Sequence, residues 1–473
     1  MKANQDLTEL KKMKQQKKIT LFSLVLLIVA AIDSIRNLPA SALFGSSLIF
    51  FFVFSAIVFL IPTSLVAAEL SRAFPGKGGV YHWVRTAFGD KMAMLTIWLQ
   101  WINTMVWYPT ILSFIAGTMA YLFYPELAQN KTYLVSSILL IFWGLTFINL
   151  KGLHLSTKVN NICALFGMLL PMCLLILLGL IWWISGKPIQ IQFSASSIFP
   201  SWGESANWIS LTAIMASFLG MELSGVHVNE IDNPQRNFPK AIFCSVLILI
   251  ATQLLGALTI AIVMPNKEIH LVDGVMQVFS DFFTLFHMGW CIPCITLLIV
   301  IGSIGSIINW LLAPAKGLLH AAEFGFLPPF FCKLNTHGVA YRILFAQGFL
   351  VSLFCLAFLL MPSINAFYWF LTGLSTQLYM IMYVFMFLAA LRSRAPHFEK
   401  PARFIIPGGK FGLAITCLVG LLGCATTLIV GFFPPDDIQI ASPLHYAAMI
   451  FIGILVMIAP VFLFFLYKRR SSV

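Results

Sequence analysis

Twelve apolar segments, each long enough to cross a bilayer, constrain this chain of 473 residues more than any other feature. A membrane-spanning helix needs about 20 predominantly apolar residues, and it bonds its own backbone polar groups where no water can. Charged residues make up only 10% of the chain, against about 25% in soluble domains. The segments are 19–44, 46–70, 93–122, 132–150, 159–185, 207–227, 240–264, 287–313, 343–361, 366–391, 411–433 and 444–467. The pattern predicts an all-α integral membrane protein with twelve transmembrane helices.

The basic residues predict the orientation of these helices. With the N-terminus in the cytoplasm, the cytoplasmic segments hold 25 of the 29 Lys and Arg, and the external loops hold three. Such an excess marks the cytoplasmic side of a membrane. Residues 1–18 therefore form a basic cytoplasmic N-terminus without a cleaved signal peptide, and residues 468–473 a short cytoplasmic tail. The net charge of +12 is a topology signal, and no nucleic-acid partner is expected.

The first segment is interrupted by polar residues. Asp33, Ser34, Ile35, Arg36 and Asn37 occupy its middle, shortly before a proline at position 39. Intramembrane charges are costly and usually functional, and proline disrupts the helical hydrogen bonds. We therefore predict a broken helix, whose exposed backbone groups and charges bind substrate. An Asp33–Arg36 ion pair that only stabilises packing is the alternative interpretation.

The sixth segment is interrupted as well. Ser217, Phe218, Leu219, Gly220 and Glu222 lie at or beside its predicted break, where glycine weakens the helix. These residues complete the predicted substrate site, with Phe218 as an aromatic lid. The two interrupted segments are five spans apart, so a second copy of the unit would be inverted in the membrane. Interrupted segments at corresponding positions of two halves indicate a transporter binding site.

Two cytoplasmic loops and the eighth span contain candidate gating residues. The loop after the second span reads AAELSRAFPGKGGVYHW, and the loop after the sixth reads HVNEIDNPQRNFPKA. Charged groups there can form a cytoplasmic latch, although a solvated loop explains each residue equally well. The candidates are Glu69, Tyr81, His82, His227, Glu230, Arg236 and Lys316.

These residues carry a family resemblance that covers nearly the whole chain. AEL-x3-FP-x-KGG-x-Y-x-W at Ala68–Trp83 resembles the signature of the amino acid–polyamine–organocation superfamily. The resemblance narrows to the bacterial glutamate/γ-aminobutyrate antiporters through five further motifs. These are Gly220-x-Glu222, HVNE-x-x-NP-x-R-x-x-P-x-A at His227–Ala241, DGVMQVF at Asp273–Phe279, IPGGK at Ile406–Lys410 and PPDDIQ at Pro434–Gln439.

The resemblance implies a LeuT-like fold and the exchange of one amino acid for another across a bacterial inner membrane. The first inverted five-helix repeat would span 19–185, the second 207–391, and helices eleven and twelve 411–467. Two departures stand out. Arg36, Asn37 and Leu38 replace an aromatic-acidic-aromatic run before the proline, which changes the substrate segment. The chain also stops six residues after Tyr467, so closure of the pore by a C-terminal plug is not expected.

The sequence leaves one close alternative, a proton-coupled amino-acid symporter with Asp33 or Glu222 as the proton carrier. An enzyme is not expected, because no loop exceeds about 30 residues and the histidines are scattered. Cys291 and Cys294 form a CxxC without His or carboxylate companions, so we expect neither a metal site nor a cofactor. The partners are then amino acids, protons in the symport alternative, and the bilayer, and the sequence does not fix the oligomeric state.

Overall fold

Helices form all the regular elements in the described part of the chain. The structure is a computed structural model, and it describes residues 20–74, 79–152, 157–200, 208–222, 231, 234–322, 325–393, 405–435 and 442–471. The helices of the first half are α1 Leu21–Ile32, α2 Leu38–Ala42, α3 Leu48–Ser55, α4 Ile61–Ala73, α5 Val80–Phe88, α6 Asp90–Ala120, α7 Lys131–Leu150, α8 Thr157–Ala164 and α9 Leu170–Ile184. The remaining helices are α10 Ala195–Ile198, α11 Ser210–Ala216, α12 Pro234–Val263, α13 Gly274–Leu285, α14 Cys291–Ala322, α15 Tyr341–Leu360, α16 Ile364–Ser393, α17 Gly409–Val430 and α18 Pro443–Ser471.

Ten helical stretches in the described residues are long and apolar enough to cross a membrane. They match ten of the twelve predicted segments. Segment 93–122 instead forms the 31-residue helix α6, which contains buried polar side chains such as Asn103 and Thr110 and is less apolar than the ten. The sixth segment is described only over 208–222, where α11 is its one α-helix.

The helices differ in how deeply they lie in the bundle. In an 18-residue apolar stretch of the candidate span Ile364–Ser393, 72% of the residues are buried, whereas in the corresponding stretch of Pro443–Lys468 the share is 11%. Helix α16 is therefore a central element, and α18 lies at the periphery with few of its residues buried. Lys468, near the end of α18, reaches Asp90 at the start of α6 at 3.3 Å, and Arg85 binds the same carboxylate at 2.7 Å.

One helix crossing is unusually close. A π-helical turn, Leu165–Leu169, joins α8 to α9 and places Gly167 against Gly302 of α14. A Cβ atom at Gly167 would lie 2.3 Å from the Gly302 Cα atom. Only glycine allows the two backbones to approach this closely. This crossing brings α14 beside the interrupted first segment, where the two line a second, smaller cavity.

Candidate functional site

The first apolar segment is interrupted where the sequence predicts. Helix α1 ends at Ile32, and Asp33 and Ser34 have extended backbone conformations. A single 3-10 turn, Ile35–Asn37, then leads into the five residues of α2. Pro39 lies in the first turn of α2, where its missing N–H is tolerated. The last carbonyls of α1 therefore lack their usual helical partners.

The sixth segment is also interrupted within the described residues. Helix α11 ends at Ala216, and a turn follows over Ser217–Gly220. Gly220 has φ of +102°, a conformation that side-chain-bearing residues rarely adopt. Its N–H donates a hydrogen bond to the Tyr383 hydroxyl of α16 at 2.9 Å. The break is thus anchored to the most buried candidate span.

A cavity lies between the two breaks. The centres of water-sized molecules can occupy about 70 Å³ of it. One such centre needs roughly 10–15 Å³, so the cavity has room for several non-hydrogen atoms. Its wall is formed by both breaks together with α6, α14 and α16. The lining residues are Ala30, Ala31, Ile32, Asp33, Ser34, Arg36, Asn37, Asn103, Thr104, Trp107, Thr110, Ile111, Ala216, Leu219, Gly220, Ser306, Trp310, Thr372, Ser375 and Tyr379.

Arg36 is the buried cation of this cavity. Its side chain is 5% exposed, and Nη1 donates to Thr110 Oγ1 at 2.9 Å and to Tyr368 Oη at 3.3 Å. The guanidinium carbon lies 5.2 Å from the centre of the Trp107 ring. Nε is buried without a hydrogen-bond partner, and no described carboxylate forms an ion pair with the side chain. A buried cation in this state is matched by a carboxylate, which accepts hydrogen bonds from the guanidinium fork.

Asp33 does not pair with Arg36 in this structure, so the alternative interpretation, an ion pair between these two residues, does not hold in this conformation. The Asp33 carboxylate, 4% exposed, accepts from Thr252 Oγ1 at 2.8 Å and from Gln253 Nε2 at 2.5 Å, both on α12. Because residues 33 and 34 are extended, positions 33 and 36 do not share a helical face. The cavity therefore has a fixed acid beside the end of α1 and a separate cation.

Glu222 lies behind the cavity wall and not in it. Its carboxylate, 1% exposed, accepts from the Tyr379 hydroxyl at 2.6 Å, from the Tyr383 hydroxyl and from Gln100 Nε2 at 3.2 Å. No described cation forms an ion pair with it. Tyr379 also lines the cavity. Glu222 is thus one hydrogen bond away from the cavity.

Besides Glu222, three of the predicted substrate-site residues do not line the main cavity. Phe218 is fully buried and packs edge-on against Phe52, with ring centres 5.8 Å apart. The Ser217 hydroxyl donates to the Ile214 carbonyl within its own turn. Ile35 lines the second, smaller cavity instead. The aromatic side chains at the main cavity are instead Trp107, Trp310 and Tyr379, so the predicted Phe218 lid is wrong for this conformation.

The described candidate latch residues differ in burial and in contacts. Glu69 accepts a hydrogen bond from the Ile406 N–H at 2.9 Å, and the His82 ring lies 6.1 Å from that of Phe74. Tyr81 is buried, and this burial raises its pKa to about 12. Arg236 and Lys316 are exposed. His227 and Glu230 lie outside the described residues, so the latch stays a prediction.

Sequence reasoning missed the partners of these charges. Arg36, Asp33 and Glu222 form hydrogen bonds with side chains from other helices. These partners are Thr110 and Tyr368 for Arg36, Thr252 and Gln253 for Asp33, and Tyr379 for Glu222. All five are polar residues inside apolar segments, and that is the signal that could have indicated them.

The fold and the cavity define a class of protein. A polar cavity where two interrupted helices meet, inside a bundle of apolar helices, is the arrangement of secondary transporters. The comparisons agree, since a family model described as amino acid permease matches residues 19–456. This chain belongs to the amino acid permease family.

Individual relatives narrow the comparison. An uncharacterized transporter of Legionella pneumophila is 40% identical over 97% of this chain and 98% of its own length. A glutamate/γ-aminobutyrate antiporter of Lactococcus lactis is 28% identical over 96% of this chain and 92% of its own. A probable agmatine/putrescine antiporter of the same species is 23% identical over 93% and 94%. The crystal structure of the Eremococcus coleocola manganese transporter shares the fold, with a TM-score of 0.58, 12% identity and coverage of 95% and 94%.

Proposed function

We propose that this protein is a secondary-active antiporter that exchanges one carboxylate-bearing amino acid for another by alternating access. The observation that carries the proposal is Arg36, a buried cation with an unused Nε donor and no ion-pair partner among the described residues, at the wall of a cavity. A substrate carboxylate would supply the missing counter-charge. Similarity to glutamate/γ-aminobutyrate antiporters supports exchange of that type.

The ammonium group of the substrate would lie at the opposite side of the first break. The end of α1 presents backbone carbonyls and the negative end of a twelve-residue helix, and Asp33 adds a full negative charge. Helix α2, with five residues, is too short to contribute a comparable positive end. Arg36 therefore supplies most of the attraction for the carboxylate.

The proposal includes twelve spans, formed by two inverted five-helix repeats at 19–185 and 207–391 and by the two helices of 411–467. The two described breaks, in the first and sixth segments, support this arrangement. The split of basic residues, 25 to three, supports cytoplasmic termini in a bacterial inner membrane. A reporter fused after Val473 should behave as cytoplasmic, and external behaviour would contradict this topology.

Proton-coupled symport is the second candidate, and Glu222 favours it. A buried acid that two tyrosines and Gln100 hydrogen-bond, without a described cation, can exist with or without a proton. Its hydrogen bond to Tyr379 connects it to the cavity wall. Protonation of Glu222 would then accompany transport.

Counterflow in liposomes separates the two mechanisms. Purified protein is reconstituted, the liposomes are preloaded with one amino acid or left empty, and uptake of labelled amino acids is measured with and without an imposed proton gradient. An antiporter takes up label only into preloaded liposomes. Uptake into empty liposomes that requires the proton gradient would establish symport, and failure to transport any amino acid would contradict both.

A further inference from the structure

The wall of the cavity contains an amide donor that is bonded to no described residue. Asn103 of α6 lines the cavity and is 6% exposed. Its Oδ1 accepts a hydrogen bond from the Ser375 hydroxyl of α16 at 2.5 Å. Its Nδ2 makes no hydrogen bond with the described residues. Because Asn103 lines the cavity, this donor group can bond to an acceptor that enters the cavity.

The two ends of the Asn103 amide have different roles. Oδ1 is the acceptor of the hydrogen bond from the Ser375 hydroxyl. A side-chain amide carries its NH₂ donor group on the other side of the same carbon. The Nδ2 group is therefore directed away from Ser375 and can donate to a solute in the cavity that Asn103 lines.

This donor lies at a distance from Arg36. Thr110, which binds the Arg36 guanidinium, is seven residues after Asn103 on the same helix. A rise of 1.5 Å per residue separates the two positions by about 10 Å along the helix. A solute that binds Arg36 through its carboxylate would thus present its far end to Asn103.

We propose that Asn103 selects amino acids whose far end carries a carbonyl-type hydrogen-bond acceptor, namely a side-chain carboxamide or carboxylate. The inference rests on the proposed function, because it takes Arg36 as the site of the substrate carboxylate. A far end that carries an ammonium group has only donors and cannot accept from Nδ2. γ-Aminobutyrate is such a molecule, so this chain discriminates against it in favour of glutamine or glutamate.

Binding to the purified full-length protein in detergent tests the proposal. Isothermal titration calorimetry gives the Kd of glutamine, glutamate, norvaline and γ-aminobutyrate. Norvaline resembles glutamine in shape but has no far-end acceptor. The wild-type protein is expected to bind glutamine or glutamate about tenfold or more tightly than norvaline, because norvaline leaves Nδ2 unsatisfied. Whichever of glutamine and glutamate binds more tightly then shows whether the site prefers a side-chain carboxamide or a side-chain carboxylate.

Variants of Asn103 and of its partner Ser375 make the test specific. In Asn103→Ala, the Kd of norvaline should come close to the Kd of glutamine or glutamate. Asn103→Asp should shift the preference toward γ-aminobutyrate, because a carboxylate acceptor replaces the amide donor. Ser375→Ala releases Oδ1 and should narrow the gap between glutamine and γ-aminobutyrate. Asn149→Ala is the matched control, because the buried side chain of Asn149 donates to the Leu145 carbonyl of its own helix and bonds no other described residue, so the wild-type ratio should persist.

The outcomes separate this inference from the proposed function. Equal wild-type binding of glutamine, glutamate and norvaline would overturn the role of Asn103, and so would a wild-type ratio in Asn103→Asp and Ser375→Ala. Either result leaves amino-acid exchange intact if counterflow is observed. Absence of counterflow with every amino acid would overturn the proposed function itself. Size-exclusion chromatography identifies any variant that fails to fold, and the other two then decide the outcome.

Discussion

Arg36 and Tyr368 bind each other at two points. The Tyr368 hydroxyl accepts from Arg36 Nη1 at 3.3 Å and lies 3.2 Å from the Arg36 main-chain carbonyl, to which it can donate. One hydroxyl thereby fixes both the side chain and the backbone of the 3-10 turn in the first break. Because Tyr368 is on α16, the most buried candidate span, the orientation of the cation is set by the central part of the bundle.

Tyr368→Phe should weaken substrate binding more than it slows the transport cycle. The change removes both hydrogen bonds but keeps the ring, and the bond from the cation is worth about 1.5–3 kcal/mol at most. We expect the KM for exchange to rise about tenfold, with a smaller change in the maximal rate. Tyr124→Phe is the control, because Tyr124 is 70% exposed. An unchanged KM in Tyr368→Phe would show that Arg36 needs no such support.

Variants of Arg36 and Asp33 should behave independently of each other. Arg36→Lys keeps the charge but loses the planar fork, so it should weaken binding more than folding. Arg36→Ala should abolish exchange. Because Asp33 is held by Thr252 and Gln253, the double variant Asp33→Asn, Arg36→Ala should not recover transport. Recovery of exchange in the double variant, measured in liposomes, would show that the two residues act only as a structural pair.

Glu222→Gln tests whether a proton takes part in the cycle. Glutamine keeps the size and most of the hydrogen bonds to Tyr379, Tyr383 and Gln100 but removes the charge. The rate is measured across the pH range in which carboxylates and imidazoles titrate. We expect a folded protein whose pH profile is shifted or flattened. A profile identical to wild type would limit Glu222 to holding the break against α16.

Gly167→Ala should destabilise the protein. The new Cβ would lie 2.3 Å from Gly302 Cα, so the two backbones must separate. Forced overpacking of this kind costs typically 1–3 kcal/mol. Gly144→Ala is a matched control on another span, where the Cβ meets nothing within 4 Å. A thermal shift measured in detergent should show a lower midpoint for Gly167→Ala alone, and equal midpoints would contradict the close crossing.

The sequence predicts the interruptions but not the network that surrounds them. Gly220 acts through its own backbone, and the polar run Asp33–Asn37 stands out in an apolar segment, so both breaks can be located from local residues. The partners of Arg36 lie 74 and 332 residues away, and no local pattern links them. The alternative Asp33–Arg36 pair fails for a different reason, because it assumes helical spacing across a stretch that is extended.

Aromatic residues illustrate a second limit of prediction from the sequence, namely which side chains line the cavity. Phe218 was the aromatic residue nearest to the sixth break, yet the turn directs it into the apolar core against Phe52. Trp107 and Trp310, from two other helices, reach the cavity instead. Which face of a helix borders a cavity depends on packing between helices, and apolar segments that are buried all round carry little periodicity to indicate it.

The recognition of a substrate carboxylate by Arg36 is tested most directly by comparing an exchanged amino acid with its α-amide, in wild type and in Arg36→Lys. The measurement is the half-inhibitory concentration of each compound against labelled exchange in preloaded liposomes. For the wild type, the α-amide should be weaker by about 30-fold or more, because it leaves a buried cation unpaired. The difference should shrink in Arg36→Lys, which lacks the fork. Equal inhibition of the wild type by the amino acid and its α-amide would contradict the account.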